Sequence, residues 1–287
     1  MHFVEAKGIL SSKNGMNIYR GCSHGCIYCD SRSVCYNMKH AFEDIEIKIN
    51  APQLLENALR SKREKCMIGT GSMSDPYIPL EGKLMLTRKC LEIIDRYQFG
   101  AAVLTKSDLI LRDVELLQSI NEQQKAVVQM TLTTSDDELC KIIEPSVCVT
   151  SRRYKVLSEM KRRNIPTIVW LTPFLPYIND TEENLKGLLN YCADAGVKGI
   201  ISFGIGLTLR EGNREFFYAA LDRNFQGLSN RYRKEFGNSY EIHSPDETKL
   251  LVKIKEFCDK YGIIFDNREC FAYLSELPDK YEQLTLF

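Results

Sequence analysis

Three cysteines stand at the spacing C-x3-C-x2-C in the stretch Gly21-Cys22-Ser23-His24-Gly25-Cys26-Ile27-Tyr28-Cys29. Thiolates this close together on one loop converge on a single metal centre. Four of them would fill a tetrahedral zinc site or complete the ligation of an iron–sulfur cluster. Three leave one position open, and an open position is where chemistry takes place. The loop follows directly on Met16 to Arg20, read as a strand, so the elements that matter most are those that deliver and wall in these sulfurs.

The 287 residues suffice for one large domain, or one domain with an appendage, around a substantial core. Lys plus Arg number 38, as do Asp plus Glu. A balanced charge argues against bulk adhesion to nucleic acid or membrane, though not against a local basic groove. Met1 to Glu5 lacks a charged-then-apolar signal pattern, and no run of 18 apolar residues exists, so no membrane span is expected. Eleven cysteines without a signal peptide read as metal ligands in a reducing cytoplasm, not as disulfides.

Strand, loop and helix repeat about six times between residues 16 and 203. Strands are expected at Cys66–Thr70, Ala101–Thr105, Ala126–Leu132, Thr167–Leu171 and Lys198–Phe203, after the first at Met16–Arg20. Helices are expected at Ala51–Lys65, from Thr87 to Gly100, at Leu111–Ile120, and over Arg152–Arg163. A capping box at Ser135-Asp136-Asp137-Glu138 opens a short helix through Ile143, and Asp180 caps Glu182–Ala195 with Gly196 at its stop. Such alternation means parallel strands with crossover helices, here an α/β fold of the partial (β/α)6 TIM-barrel type. Active-site groups then belong at the C-terminal strand ends, where the polar loops fall. Residues 1–206 read as this barrel and 207–278 as an α-rich extension over its mouth, with a helix ending at Tyr261 before Gly262. Residues 279–287 form a tail.

C-x3-C-x-aromatic-C resembles the signature of the radical SAM enzymes, and the loop matches it without a mismatch. The resemblance implies that Cys22, Cys26 and Cys29 hold three irons of a [4Fe–4S] cluster. The fourth iron is left for S-adenosylmethionine, whose reductive cleavage gives a 5′-deoxyadenosyl radical. Tyr28 would lie beside the adenine, and an electron donor such as flavodoxin or ferredoxin is implied.

Further motifs resemble the spore photoproduct lyase family, often labelled DNA repair photolyases. They are Gly71-Ser72-Met73-Ser74-Asp75-Pro76, Leu104-Thr105-Lys106-Ser107, Thr131-Leu132-Thr133-Thr134, Ile142-Ile143-Glu144-Pro145 and Pro176-Tyr177-Ile178-Asn179-Asp180. On this resemblance Ser74, Asp75, Lys106 and Thr131 contact the cofactor; Lys106 reads otherwise as a surface lysine and Thr131 as a plain strand residue. That family places a hydrogen-donating cysteine where this chain has Ser72, and a serine O–H bond is too strong to quench a carbon radical. Cys35, Cys140 or Cys148 would then be the donor, or each is an ordinary thiol. His24 reads either as a hydrogen-bond partner of a cluster sulfur or as loop packing, and Tyr77 or Phe203 could stack on a base.

The chain closes on Gln283-Leu284-Thr285-Leu286-Phe287. Gln-Leu-x-Leu-Phe resembles the peptide by which bacterial DNA-processing proteins bind the sliding clamp, with Gln283 held by hydrogen bonds and Leu284, Leu286 and Phe287 facing an apolar pocket. Docking on the chain's own core is the other reading. Basic runs at Arg60–Lys65, Arg152–Lys155, Lys161–Arg163 and Arg231–Lys234 suit phosphates or solvated helix faces. Together these readings point to a radical SAM enzyme acting on DNA. A relative acting on RNA or a peptide is the second reading, and a zinc-binding adaptor using Cys22, Cys26, Cys29 and Cys35 the third. The zinc spacing would be unusual, and the barrel would be unexplained.

Overall fold

The computed structural model describes residues 1–71 and 73–278. The chain begins with β1 (His2–Val4), the short pieces β2 (Gly15–Met16) and β3 (Tyr19–Arg20), then β4 (Glu46–Lys48) and α1 (Ala51–Ser61). Alternation follows: β5 (Met67–Thr70), α2 (Glu81–Leu84), α3 (Leu86–Arg96), β6 (Gly100–Thr105), α4 (Val114–Gln123), β7 (Ala126–Thr131), α5 (Asp137–Ile143), α6 (Thr150–Arg162), β8 (Thr167–Trp170), α7 (Glu182–Ala195) and β9 (Gly199–Ile201).

β2, β5, β6, β7, β8 and β9 pair in that order, all parallel. Each strand is laid on the same side of the one before. Right-handed crossovers then put every connecting helix on one face, and the sheet curls towards a barrel. Side-chain alternation divides the two faces. Val128, Met130 and Val169 pack outward against helix residues such as Leu117 and Leu157. Val127 and Ile168 point inward. The expected partial (β/α)6 barrel is the fold observed.

The segment Met16–Arg20 is not one strand. Ile18 and Tyr19 are both buried, which a half-buried strand with alternating faces cannot accommodate. Met16 stays in the barrel sheet opposite Thr70, while Tyr19 and Arg20 leave it to pair antiparallel with Ile47 and Glu46 of β4. This swing carries Gly21 and Cys22 over the strand ends. Helix α1 stops at Ser61, short of Lys65. The caps of two helices fall one residue from expectation: Asp136 accepts the N–H groups of Glu138 and Leu139, and Thr181 caps α7. Asp180 instead accepts from Tyr177 N and Ser244 Oγ.

Beyond the barrel come β10 (Gly206–Thr208), α8 (Asn213–Asn224), α9 (Leu228–Phe236), β11 (Glu241–His243), α10 (Glu247–Tyr261) and α11 (Asn267–Ser275). Only part of this extension lies at the mouth. Phe217, Tyr218 and Tyr232 of α8 and α9 share a core with Cys26, Ile27 and Tyr28, and β10 pairs antiparallel with β11. Helix α10 joins the outer layer through Leu250, Ile254 and Cys258. Helix α11 returns inside the barrel, where Cys270 and Leu274 pack on Met67, Ala102, Val127 and Ile168. It fills the lower half and leaves the upper half open.

Candidate active site

The open half is a cavity of about 600 Å³. Cys22, Cys26 and Cys29 line it together with Tyr28, Ser74, Asp75, Lys106 and Thr131, so the expected cluster and cofactor residues meet in one place. Trp170, Phe203 and residues of the β10–β11 pair are also part of the wall.

Backbone contacts hold the cysteine loop. Cys22 N donates to Phe42 O at 3.2 Å, Ile27 N to Ile143 O at 3.0 Å, and Ser146 N to His24 O at 3.0 Å. Gly21 has φ +88°, and a Cβ there would stand 2.4 Å from Phe42 O. An alanine at Gly21 must therefore shift the backbone that carries Cys22, beyond the ~1–2 kcal/mol that a left-handed conformation alone costs. We expect Gly21→Ala to reduce iron incorporation several-fold relative to the wild type, read as iron per chain after anaerobic reconstitution; an unchanged iron content would show that the loop adapts.

Two residues expected to touch the cofactor are already engaged. Ser74 Oγ donates to Gly21 O at 2.6 Å. Asp75 accepts from Thr105 Oγ1 (2.6 Å), Tyr77 N (2.8 Å) and Lys106 N (2.8 Å), and its Oδ2 lies 3.5 Å from His24 Nδ1. His24 is buried. Burial lowers its pKa against the pull of Asp75, and the ring lines the cavity beside Cys22 and Cys26.

Lys106 points its ammonium towards the Tyr28 ring, 5.8 Å from the centroid. Burial works against its charge, but the Glu144 carboxylate and, when ionised, the Cys26 thiolate outweigh burial and raise its pKa. It is a fixed cation in the cavity, not a surface lysine.

Behind Tyr28 lies a pair that sequence reasoning did not identify. Tyr28 OH donates to Glu144 Oε1, and Arg153 Nη2 donates to Glu144 Oε2 at 2.6 Å, with both charged side chains fully buried. Arg153 also donates to Thr131 O (3.1 Å) and Cys148 O (2.9 Å), tying the end of β7 to the cysteine loop. Burial pushes the Glu144 carboxyl up, but Arg153, Lys106 and the hydrogen bonds from Arg153 and Tyr28 bring it down to about 2. The sequence signal was Glu144-Pro145 just after a short helix, nine residues before an arginine in a helix read as basic and solvated.

Other expectations place differently. Cys35 is exposed, with Arg210 Nη1 3.1 Å from its sulfur, and does not line the cavity. Cys140 is fully buried, its sulfur 3.4 Å from Glu144 Oε2, and also lies outside the cavity. Tyr77 cannot stack on a base: it is fully buried, and its hydroxyl donates to Asp113 at 3.0 Å. Phe203 remains available at 60% exposure, 5.8 Å from the Trp170 ring. Glu159 is shared by Arg162 and Arg163, and Arg152 pairs with Asp108, so ion pairs offset part of the charge of those runs. Ser72, Gln283, Leu284, Leu286 and Phe287 lie outside the described residues.

The chemistry of the three sulfurs fits a cluster. Burial, reinforced by Asp75, pushes the Cys22 thiol up to about 12, and burial drives Cys26 well above the ordinary thiol range. Thiolates form here only beside a cation. Among the described residues, the only three metal-ligating side chains with ligand atoms all within 4.8 Å of one another are His2, His40 and Glu46. At least one pair of the three cysteine sulfurs therefore stands more than 4.8 Å apart, wider than the ~3.8 Å spacing around one zinc ion with bonds of about 2.3 Å. The remaining thiol of a four-cysteine zinc set, Cys35, is outside the cavity.

The family model described as the radical SAM superfamily matches residues 16–189. The chain belongs to the radical SAM superfamily. The cofactors of this superfamily, a [4Fe–4S] cluster and S-adenosylmethionine, suit the residues just described. Among curated relatives, an uncharacterized protein of Mycobacterium tuberculosis is 28% identical over 261 residues, covering 88% of this chain and 76% of its own length. An uncharacterized protein of Methanocaldococcus jannaschii is 32% identical over 176 residues, 61% of this chain and 65% of its own. Among solved structures, a spore photoproduct lyase mutant with bound AdoMet and dinucleoside spore photoproduct aligns with TM-score 0.59 at 13% identity. It covers 86% of this chain and 74% of that one, a likeness of fold within the radical SAM superfamily.

Proposed function

We propose that this radical SAM enzyme holds its cluster on Cys22, Cys26 and Cys29 and acts by hydrogen abstraction on a base in DNA, as lesion repair or base modification. The observation that carries the chemistry is that three cysteines face the same cavity as the Lys106 cation and Thr131, at the C-terminal ends of parallel strands. A cluster held by Cys22, Cys26 and Cys29 would supply the one-electron reduction that cleaves S-adenosylmethionine for hydrogen abstraction from the substrate. Lys106 supplies the counter-charge for the methionyl carboxylate, Thr131 a hydroxyl, and Tyr28 an apolar wall fixed by Glu144. Ser74 and Asp75 act as positioning residues, one on Gly21 and the other on Lys106 N.

DNA is supported by three features. The fold resembles that of a lyase solved with a dinucleoside photoproduct, the exposed Phe203 ring beside Trp170 offers a stacking face at the cavity, and the last five residues read as a clamp-binding peptide. A sliding clamp and a flavodoxin- or ferredoxin-type reductant are the proposed partners. Because neither Cys35 nor Cys140 reaches the cavity, repair that relies on either as hydrogen donor is not part of this reading. The test is dithionite-driven 5′-deoxyadenosine release, compared between duplex DNA carrying photolesions or alkylated bases, undamaged DNA, tRNA and no substrate. Stimulation and product formation with a DNA arm are expected. Stimulation by tRNA alone would move the substrate to RNA.

A further inference from the structure

A second cluster of metal-ligating side chains lies outside the cavity, behind the cysteine loop. Strands β1 and β4 pair in parallel with His2 opposite Glu46, and His40 arrives from the loop between the cysteines and β4. The two imidazoles meet edge to face, centroids 4.8 Å apart at 84°. Ligand atoms of His2, His40 and Glu46 all lie within 4.8 Å of one another.

Hydrogen bonds occupy Nδ1 of both histidines. His40 Nδ1 is 3.0 Å from Ala41 O, and His2 Nδ1 is 3.1 Å from Asp44 Oδ2. An Nδ1–H that donates to a carbonyl or carboxylate fixes the tautomer and leaves Nε2 with its lone pair free, the arrangement common in metal-bound histidine. His40 Nε2 is buried and has no hydrogen-bond partner. Its nearest anion is Glu46 Oε2 at 3.8 Å. That gap is too long for a hydrogen bond but suits an ion between the two atoms, with bonds of about 2.0–2.2 Å to each.

We propose that His2, His40 and Glu46 form a site for a divalent transition ion of the zinc class, with Asp44 as the carboxylate that orients His2. Two imidazoles and one carboxylate are a donor set of this class. None of the three residues lines the cavity, so the ion is structural. It would clamp β1 to β4 and to the loop carrying Phe42, whose carbonyl accepts from Cys22 N, while Arg20 just before the cysteine loop pairs with Glu46.

The test uses cluster-loaded enzyme incubated with zinc chloride, passed over a desalting column, and analysed for zinc and iron together. Wild type is expected to retain about one zinc per chain, while His40→Gln and Glu46→Gln retain at least ~10-fold less with iron unchanged. Zinc should also raise the unfolding midpoint of wild type and not of Glu46→Gln. If His40→Gln also loses iron, Glu46→Gln and His2→Asn decide. Wild type that retains no more zinc than these variants overturns the proposal.

Discussion

Glu144→Ala is expected to lose about 3–5 kcal/mol of stability, because it leaves the Arg153 guanidinium buried without its anion. Thr131 O and Cys148 O would still accept from Arg153, but neither carries charge. The Tyr28 hydroxyl would lose its acceptor as well, so the wall beside Cys29 should loosen along with the core. Urea denaturation reads the loss directly. A double variant, Glu144→Leu with Arg153→Met, should recover much of it, since removing both charges abolishes the unpaired one. The pH dependence has a definite sign. The folded carboxyl sits at about 2, below its ordinary 4.5. Its contribution is therefore fully present above about pH 4.5 and is lost as pH falls through 2. The stability gap between wild type and Glu144→Gln should be widest near neutrality and close in acid; a gap that does not narrow would mean the carboxylate is not what holds Arg153.

Cys26→Ala should abolish both iron binding and adenosyl cleavage, taking 5′-deoxyadenosine release to background. Of the three cysteines of the motif it is the most buried, and it shares a core with Phe217 and Tyr232. Cys35→Ala should leave iron and sulfide unchanged, because Cys35 lies outside the cavity. This contrast separates a three-thiolate cluster from a four-thiolate zinc site. Loss of metal in both variants would favour the zinc site. Iron retained in Cys26→Ala would remove the cysteine from the ligand set.

The cysteine spacing and the strand–helix alternation were legible because each is a local pattern with a local cause. Lys106 and Thr131 came from the family resemblance, and what the fold adds is that both line the cavity with the three cysteines. What the sequence hid was pairing at a distance. Arg153 sits in a run of basic residues, and nothing local distinguishes it from Arg152, which is exposed and paired with Asp108. Only the fold shows that one helix turn aims it at Glu144. Met16–Arg20 has the composition of a single strand, yet consecutive burial of Ile18 and Tyr19 required two sheets. Nothing in the sequence marked Asn267–Ser275 as a helix that returns to the barrel, where Cys270 and Leu274 pack on Ala102 and Val127.

Anaerobic purification followed by iron, sulfide and zinc analysis tests the central claim most directly. A brown protein with about four irons and four sulfides per chain, which releases 5′-deoxyadenosine from S-adenosylmethionine when reduced, is the predicted result. A colourless protein with zinc on the three cysteines and no labile sulfide would contradict it.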